Sequence, residues 1–167
     1  MRMILLMISL LFAMMVGSSV PQFESEIYIL GPSGGTGGTG FTDEAVPIYD
    51  VYFLDIWTGS VVNGIFIQWG ETGHGEKGNG HGKLEGIKHR FYLQQGEYIT
   101  GISGRYGTFV DSIIIQTNLG RVSSSYGGPG GSAEYIYEVP SGWEIAGFCG
   151  RQGDVIDAIG VVLRKHS

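Results

Sequence analysis

Short apolar runs separated by glycine-rich turns make up most of the chain. β-Branched and aromatic residues are frequent in these runs, which is typical of strands. Two runs, IIIQ from Ile113 and IGVVL from Ile159, are apolar on both faces, which indicates strands covered on both sides. No stretch predicts a helix convincingly. The predicted strands are residues 26–30, 51–57, 64–69, 86–93, 98–103, 112–117, 134–139, 143–149 and 158–164.

A repeat divides these strands into three sets. The segments ITGISGRYGTFVDSI from Ile99 and IAGFCGRQGDVIDAI from Ile145 match at an offset of 46 residues in Ile, Gly, Gly, Arg, Gly, Asp and Ile. A weaker copy, GSVVNGI from Gly59, lies 48 residues before the middle one. Each repeat is long enough for four strands. The sequence therefore predicts an all-β prism of three four-stranded sheets with threefold pseudosymmetry.

The candidate binding site is the turn of the last repeat, Gly153, Asp154, Val155, Ile156 and Asp157. Gly153 allows a positive φ, so the amides of Asp154 and Val155 can converge on one point that the carboxylate of Asp157 faces. Donors beside a carboxylate suit a sugar, whose neighbouring hydroxyl groups both donate and accept hydrogen bonds. The competing interpretation is a surface hairpin in which Asp157 is only a turn residue.

Four segments together resemble the jacalin-related lectins. They are GPSGGTGGTG at 31–40, the repeated GR(Y/Q)Gx(F/V)(V/I)D(S/A)I, SSSYGGPGG at 123–131 and GDVIDAIGVVL at 153–163. The resemblance covers nearly all of residues 21–167, the predicted lectin domain, and is strongest to the secreted zymogen granule proteins of animals. It implies a β-prism I fold of three Greek-key sheets, in which the N-terminal strand completes the last sheet.

The resemblance also implies how the loops pair. It places the loop with Gly34, Gly35, Gly37 and Gly38 opposite the turn that ends at Asp157, to form the primary carbohydrate site. Glycines suit this position because a backbone without side chains lets a sugar ring approach closely.

The same arrangement implies a possible second site, where Gly107 and Asp111 face residues 127–131. Thr108 and Phe109 change its turn, and Pro129 stiffens its glycine loop. In the first repeat, residues 59–63 are expected to face residues 73–82. There Asn63 replaces the aspartate, and an amide offers one acceptor oxygen where a carboxylate offers two, so no third site is expected.

Arg105 and Tyr106 lie where the resembled family has a recognition loop beside the primary site. A tyrosine ring can pack on the apolar face of a sugar. Since Arg105 recurs as Arg151, the favoured alternative is that both arginines hold their loops through backbone carbonyl groups.

Residues 1–20 carry one arginine, an apolar run and small residues, which predicts a secretory signal peptide and not a membrane span. The full chain has a net charge of -6, and removal of Arg2 leaves nine Lys and Arg against 16 Asp and Glu, a charge of −7. This balance argues against binding to nucleic acid. A basic patch of Lys83, Lys88, His89 and Arg90 is more simply a solvated strand face.

Neither a metal site nor a catalytic site is predicted. The four histidines, His74, His81, His89 and His166, lack zinc-type spacing. Asp154 and Asp157 share one tight turn and cannot flank a scissile bond. Cys149, the single cysteine, aligns with Ser103, which favours a small buried strand residue over a reactive thiol.

These observations predict a secreted, metal-independent lectin without cofactors. Its expected partners are mannose-type glycans, bacterial cell-wall polysaccharide or proteoglycan, met in the extracellular space or the lumen of a secretory granule. The alternative is a granule sorting or docking protein with a vestigial sugar site.

Overall fold

The computed structural model describes residues 27–45, 49–70 and 77–166, and within them only strands and connecting turns are found. The predicted leader, residues 1–20, lies outside this part of the chain, as does His74. The strands are β1 (Ile27–Gly34), β2 (Thr39–Thr42), β3 (Val51–Thr58), β4 (Val62–Trp69), β5 (Lys77–Gly82), β6 (Ile87–Tyr92), β7 (Ile99–Tyr106), β8 (Ser112–Thr117), β9 (Tyr126–Gly127), β10 (Ala133–Glu138), β11 (Trp143–Gln152) and β12 (Ile156–Lys165).

Three antiparallel four-stranded sheets form the fold, with strand orders β5-β4-β3-β6, β10-β7-β8-β9 and β1-β12-β11-β2. In the first two sheets three strands follow in sequence and the fourth returns beside the first, which is a Greek key. In the third sheet the N-terminal strands β1 and β2 flank the C-terminal hairpin β11–β12. The predicted all-β prism of three sheets is confirmed.

The inward faces of the three sheets share one core. Leu54, Ile65, Ile102, Ile113 and Ile159, contributed by all three sheets, are buried almost completely. Burial of each such side chain contributes about 1.5–3 kcal/mol, so the three sheets stabilise one another.

Hydrogen bonds also cross between sheets at one end of the prism. Val62 donates to the carbonyl of Val110 at 2.9 Å, and Val110 donates to the carbonyl of Ile156 at 2.9 Å. All three side chains are fully buried. Each of them directly precedes Asn63, Asp111 or Asp157, so these contacts hold the three repeat turns together at that end.

The predicted strands correspond to nine of the observed ones, with shifted ends. Ser112–Thr117 has the predicted limits, whereas β1 runs on to Gly34 and β11 to Gln152. The prediction missed β2, β5 and β9, which are glycine-rich or short. Strand β12 is covered on both faces as expected, since Val161 lies in the main core and Val162 in a second cluster with Ala45, Ala146 and Cys149.

Candidate functional site

The turn of the last repeat leaves two backbone donors free. The amide of Gly153 donates to the carbonyl of Val155 at 3.0 Å and closes the turn. The expected positive φ at Gly153 was wrong, because this hydrogen bond closes the turn without it. In the described part of the chain, the amides of Asp154 and Val155 have no protein acceptor. The residue that follows, Ile156, is fully buried and anchors the turn in the core. The turn therefore presents two N–H groups to solvent from a fixed base.

The N-terminal glycine loop, residues 34–38, lies against this turn as expected. The amide of Gly35 donates to the carbonyl of Asp157 at 2.8 Å. A Cβ on Gly37 would collide with Oδ1 of Asp157, and one on Gly38 would lie 2.7 Å from Oδ2. Gly38 also has a φ of 61°, which favours glycine. The loop is a cradle in which the carboxylate has the space that side chains would otherwise fill.

Arg151 fixes the shape of this loop. Its Nε donates to the carbonyl of Gly37 at 2.7 Å, and one terminal nitrogen donates to the carbonyl of Gly38 at 2.8 Å. The guanidinium group fits two neighbouring acceptors because its donors form a rigid fork. Arg151 thus positions the loop, a role that the alignment with Arg105 had suggested.

The two carboxylate oxygens of Asp157 are available as hydrogen-bond acceptors. The residue is 5% exposed, and no donor among the described residues reaches its side-chain oxygens. Since no fully buried side-chain oxygen in the described residues lacks a partner, these oxygens still contact water, which the hydroxyl groups of a ligand can replace. Free N–H groups beside free carboxylate oxygens suit a polyhydroxyl ligand.

The fold has counterparts in known proteins. A model of the Jacalin-like lectin domain matches residues 30–162. The chain belongs to the jacalin-like lectin family.

Among curated relatives, this jacalin-like lectin is 32% identical over 150 residues to myrosinase-binding protein 2 of Arabidopsis thaliana, an alignment of 87% of the chain but only 21% of that protein. It is 33% identical over 141 residues to horcolin of Hordeum vulgare, with 80% of the chain and 94% of horcolin covered. The chain thus spans about a fifth of the first relative and nearly all of the second.

Two solved lectins have the same fold as this jacalin-like lectin. The mannose-binding lectin from champedak has a TM-score of 0.72 at 26% identity, covering 83% of this chain and 97% of that one. Calsepa of Calystegia sepium, solved with a biantennary N-glycan, has a TM-score of 0.74 at 25% identity, covering 84% of this chain and 98% of its own.

Arg105 and Tyr106 lie in the middle sheet of the jacalin-like lectin. Arg105 holds its own sheet's glycine loop, donating to the carbonyl of Gly130 at 3.0 Å and of Gly131 at 2.8 Å. Tyr106 is half-buried and packs against the core. The part of this turn that borders the primary site is the carbonyl of Thr108, which lies against Gly35. These contacts give both arginines the loop-holding position that the repeat suggested.

Asp111 and Gly107 lie in the turn of the middle repeat, as expected. The amide of Gly128 donates to the carbonyl of Asp111 at 2.9 Å, so residues 127–131 face this turn. Here too a loop from the neighbouring repeat forms the wall, since the carbonyl of Ser60 lies against Gly128.

The turn of the first repeat faces a different loop from the one predicted. Residues 77–82 form strand β5, and the partner of the turn is the loop at 82–86, where Lys83 donates to the carbonyl of Asn63 at 2.9 Å. The expectation was wrong for residues 77–82, because Gly82 pairs with Gly64 at the start of β4 and the strand ends there. Residues 73–76 lie outside the described part of the chain. Asn63 donates through Nδ2 to the carbonyl of Glu85 at 2.9 Å. The side chain that would meet a ligand is therefore bonded within the protein.

The basic residues of the predicted patch are paired within the protein. Arg90 makes two hydrogen bonds of 2.6 Å to the carboxylate of Asp55, and Lys88 lies 3.6 Å from it. The bonds to Asp55, and then to Tyr92, raise the pKa of Arg90. Because Asp55 neutralises part of this charge, the patch is less positive than its sequence suggests.

Cys149 is buried at 4% exposure. Burial, with a smaller contribution from Asp43, raises the pKa of its thiol to about 11, so little thiolate forms at neutral pH. His81 is also buried, and its Nε2 lies 2.7 Å from Oδ1 of Asp43. In the described ranges no cluster of His, Cys, Asp or Glu has the geometry to hold a metal ion. The same ranges contain no helix that could cross a bilayer.

Proposed function

We propose that this protein is a secreted lectin that binds mannose-type or related glycans at the turn of its last repeat, without a metal ion. The carboxylate of Asp157 accepts hydrogen bonds from two sugar hydroxyl groups. The amides of Asp154 and Val155 donate to sugar oxygens, and the backbone at Gly37 and Gly38 allows the ring to approach. The observation that carries the proposal is the nearly buried, unpartnered carboxylate in a cradle of glycines.

Two structural relatives support the choice of ligand. The champedak protein is described as mannose-binding, and Calsepa was solved with a biantennary N-glycan. A mannose-type sugar also fits the chemistry of Asp157, because two adjacent hydroxyl groups can donate one hydrogen bond to each of the two carboxylate oxygens. Family membership likewise supports a binding role over a catalytic one.

The site is shallow, so we expect weak binding to a monosaccharide. Few groups converge on the ligand and water competes for each hydroxyl, which places the dissociation constant near about 1 mM. Polymers that repeat the sugar, such as a bacterial wall polysaccharide, raise the apparent affinity because further sites bind at high local concentration. Such polymers are the physiological partners that we propose.

Secretion is the second part of the proposal. The apolar segment within residues 1–20 has the length and flanks of a cleaved leader. The sequence resemblance to zymogen granule proteins favours passage through a secretory granule. Expression in a secreting cell, followed by N-terminal sequencing of protein from the medium, tests this directly, and retention of residues 1–20 would contradict it.

The test of the sugar site is Asp157→Asn, measured by calorimetry with a mannotrioside in the presence of a chelator. The change mimics Asn63 and removes a charged acceptor, so a loss of about 1.5–3 kcal/mol, or at least tenfold in affinity, is expected. Glu138→Gln removes an exposed charge at the end of β10 that lies away from the repeat turns and is the matched control. Equal binding by wild type and Asp157→Asn would place the site elsewhere, and loss of binding with chelator would reject metal independence.

A further inference from the structure

A cavity of about 610 Å³ opens at the end of the prism opposite the repeat turns. Residues 49–52, which lead into β3, form one wall, and residues 93–97, which connect β6 to β7, form the other. Strand β3 has eight residues and runs from this cavity to the turn of the first repeat, so the two ends lie roughly 25 Å apart. We propose that this cavity is a separate binding site whose ligand is a neutral hexopyranose unit of a glycan.

The wall at residues 49–52 is fixed by a buried arginine. Arg164 is 6% exposed, donates to the carbonyl of Tyr49 at 2.9 Å and lies 3.2 Å from the carboxylate of Asp50. It also donates to the buried carboxylate of Glu144. A buried charge is costly unless it is paired and hydrogen-bonded, and these contacts meet that requirement. The wall therefore has a defined shape before a ligand binds, which lowers the ordering cost of binding.

The wall at residues 93–97 is fixed by a buried carboxylate. Glu97 accepts hydrogen bonds from the main-chain amide of Gln94 at 2.8 Å, from the hydroxyl of Thr117 at 2.6 Å and from Arg121 at 2.5 Å. Its own amide donates to the carbonyl of Gln94 at 2.9 Å and closes a turn in which Gly96 has a φ of 72°. Both walls are thus held by charged groups that the protein itself satisfies.

Other polar groups that line the cavity have no partner in the protein. Among the described residues, nothing bonds to the phenol hydroxyls of Tyr49 and Tyr52 or to the side-chain amides of Gln94 and Gln95. The main-chain amides of Gln95 and Gly96 have no acceptor there either. Donors and acceptors are therefore available to a ligand from both walls.

The combination of groups indicates the class of ligand. Val51 and Leu93 are nearly buried and give the cavity an apolar base. Tyrosine rings pack on the apolar face of a pyranose, and amide side chains both donate to and accept from its hydroxyl groups. The cavity volume falls within the range of about 300–1,000 Å³ that is usual for small-molecule sites.

The charges around the cavity favour a neutral sugar over a charged one. Asp50 is paired with Arg164, and Glu97 is paired with Arg121. Neither a carboxylate nor a guanidinium group is therefore left to attract a ligand of opposite sign.

A site at each end of the prism gives one molecule two directions of binding. The cavity and the Asp157 site face away from each other, so they cannot bind one short glycan at the same time. A single molecule can instead bridge two glycan chains. The cavity uses no residue of the Asp157 site, so the two proposals can fail separately.

The test is an NMR titration of the isotope-labelled protein with the methyl glycosides of mannose, glucose and galactose, one at a time. The main-chain amides of Gln95 and Gly96 report on the cavity, and those of Gly37 and Gly38 report on the Asp157 site. We expect at least one glycoside to shift the signals of Gln95 and Gly96, with saturation at concentrations of about 1–10 mM.

The matched variants are Gln94→Ala and Gln116→Ala. Gln94→Ala removes an exposed side-chain amide from the cavity and keeps the main-chain bond to Glu97, so the affinity at Gln95 and Gly96 should fall about twofold to tenfold. Gln116→Ala removes an amide from β8 outside the cavity and should leave the response unchanged. Equal affinity of Gln94→Ala and the wild type would contradict the inference.

The titration separates the two sites. Silence of Gln95 and Gly96 with all three glycosides, while Gly37 and Gly38 respond, overturns this inference and leaves the proposed function intact. A response at Gln95 and Gly96 alone supports this inference and overturns the Asp157 site. Silence at both ends overturns both.

Discussion

The turns of the first and last repeats have the same main-chain hydrogen bond and differ in the hydrogen bonds of the side chain that ends each turn. Asn63 and Asp157 each accept a main-chain hydrogen bond from the facing loop, given by Lys83 and Gly35 respectively. The amide of Asn63 then donates to the carbonyl of Glu85, whereas the carboxylate of Asp157 has no partner in the described residues. Asparagine has an NH2 group where aspartate has a second oxygen. Asn63 therefore makes a hydrogen bond within the protein, whereas both carboxylate oxygens of Asp157 remain available to a ligand.

The largest effect in this comparison should come from Gly37→Ala. Its methyl group would collide with Oδ1 of Asp157, so the carboxylate must turn away. Loss of hydrogen bonds to a charged group costs about 1.5–3 kcal/mol, so titration calorimetry with a mannoside should show at least a tenfold loss of affinity. Gly40→Ala is the matched control, because its nearest heavy atom is 3.9 Å away. Undiminished binding by Gly37→Ala would show that the cradle does not matter.

An intermediate effect is expected from Arg151→Ala. The change frees the carbonyls of Gly37 and Gly38, and the loop must then be ordered by the ligand. If ordering the loop takes about the free energy of one such bond, 0.5–1.5 kcal/mol, affinity at the Asp157 site should fall about twofold to tenfold.

The control for that change is Arg105→Ala, which frees the carbonyls of Gly130 and Gly131 in the middle sheet and should leave mannoside affinity at the Asp157 site as it was. Titration calorimetry with the same mannoside measures both variants. If both variants weakened binding equally, the arginines would act on the whole fold and not on their own loops.

The smallest effect should come from Asn63→Asp. It removes the bond to the carbonyl of Glu85 and places a carboxylate beside that oxygen, which costs about 1 kcal/mol in the free energy of unfolding, measured with urea. No mannoside binding should appear at this turn, because Glu85 occupies the position that Gly37 occupies in the loop facing Asp157. Mannoside binding at this turn of Asn63→Asp would show that the aspartate suffices without the glycine. The double change with Glu85→Gly tests whether the two together create one.

The strands rich in β-branched residues could be predicted because their composition alone favours extended structure. Strand β5 could not, since its sequence KGNGHG has no such residue. It is a strand because β4 supplies the pairing and the ring of Phe66 occupies the space beside Gly78, where a side chain would collide with it. That information lies in the neighbouring strand and not in the segment itself.

The same limit applied to the site. The repeat offset identified Asp157, Asp111 and the two arginines, because equivalent positions in a pseudosymmetric fold have equivalent surroundings. The offset did not locate the loop that faces Asn63, since glycine content pointed to residues 73–82 and the loop at 82–86 contains Lys83, Leu84 and Glu85. Which loop faces a turn is decided by where the preceding strand ends, and this depends on register.

The contacts of Thr108 with Gly35 and of Ser60 with Gly128 have a consequence for protein engineering. The turns of the middle and first repeats each lie against the glycine loop of a neighbouring sheet, so a substitution in either turn can also alter that loop. The first repeat carries Asn63 in place of an aspartate, and the backbone of its turn still lies against the loop at Gly128. The sheets of this prism consequently cannot be redesigned one at a time.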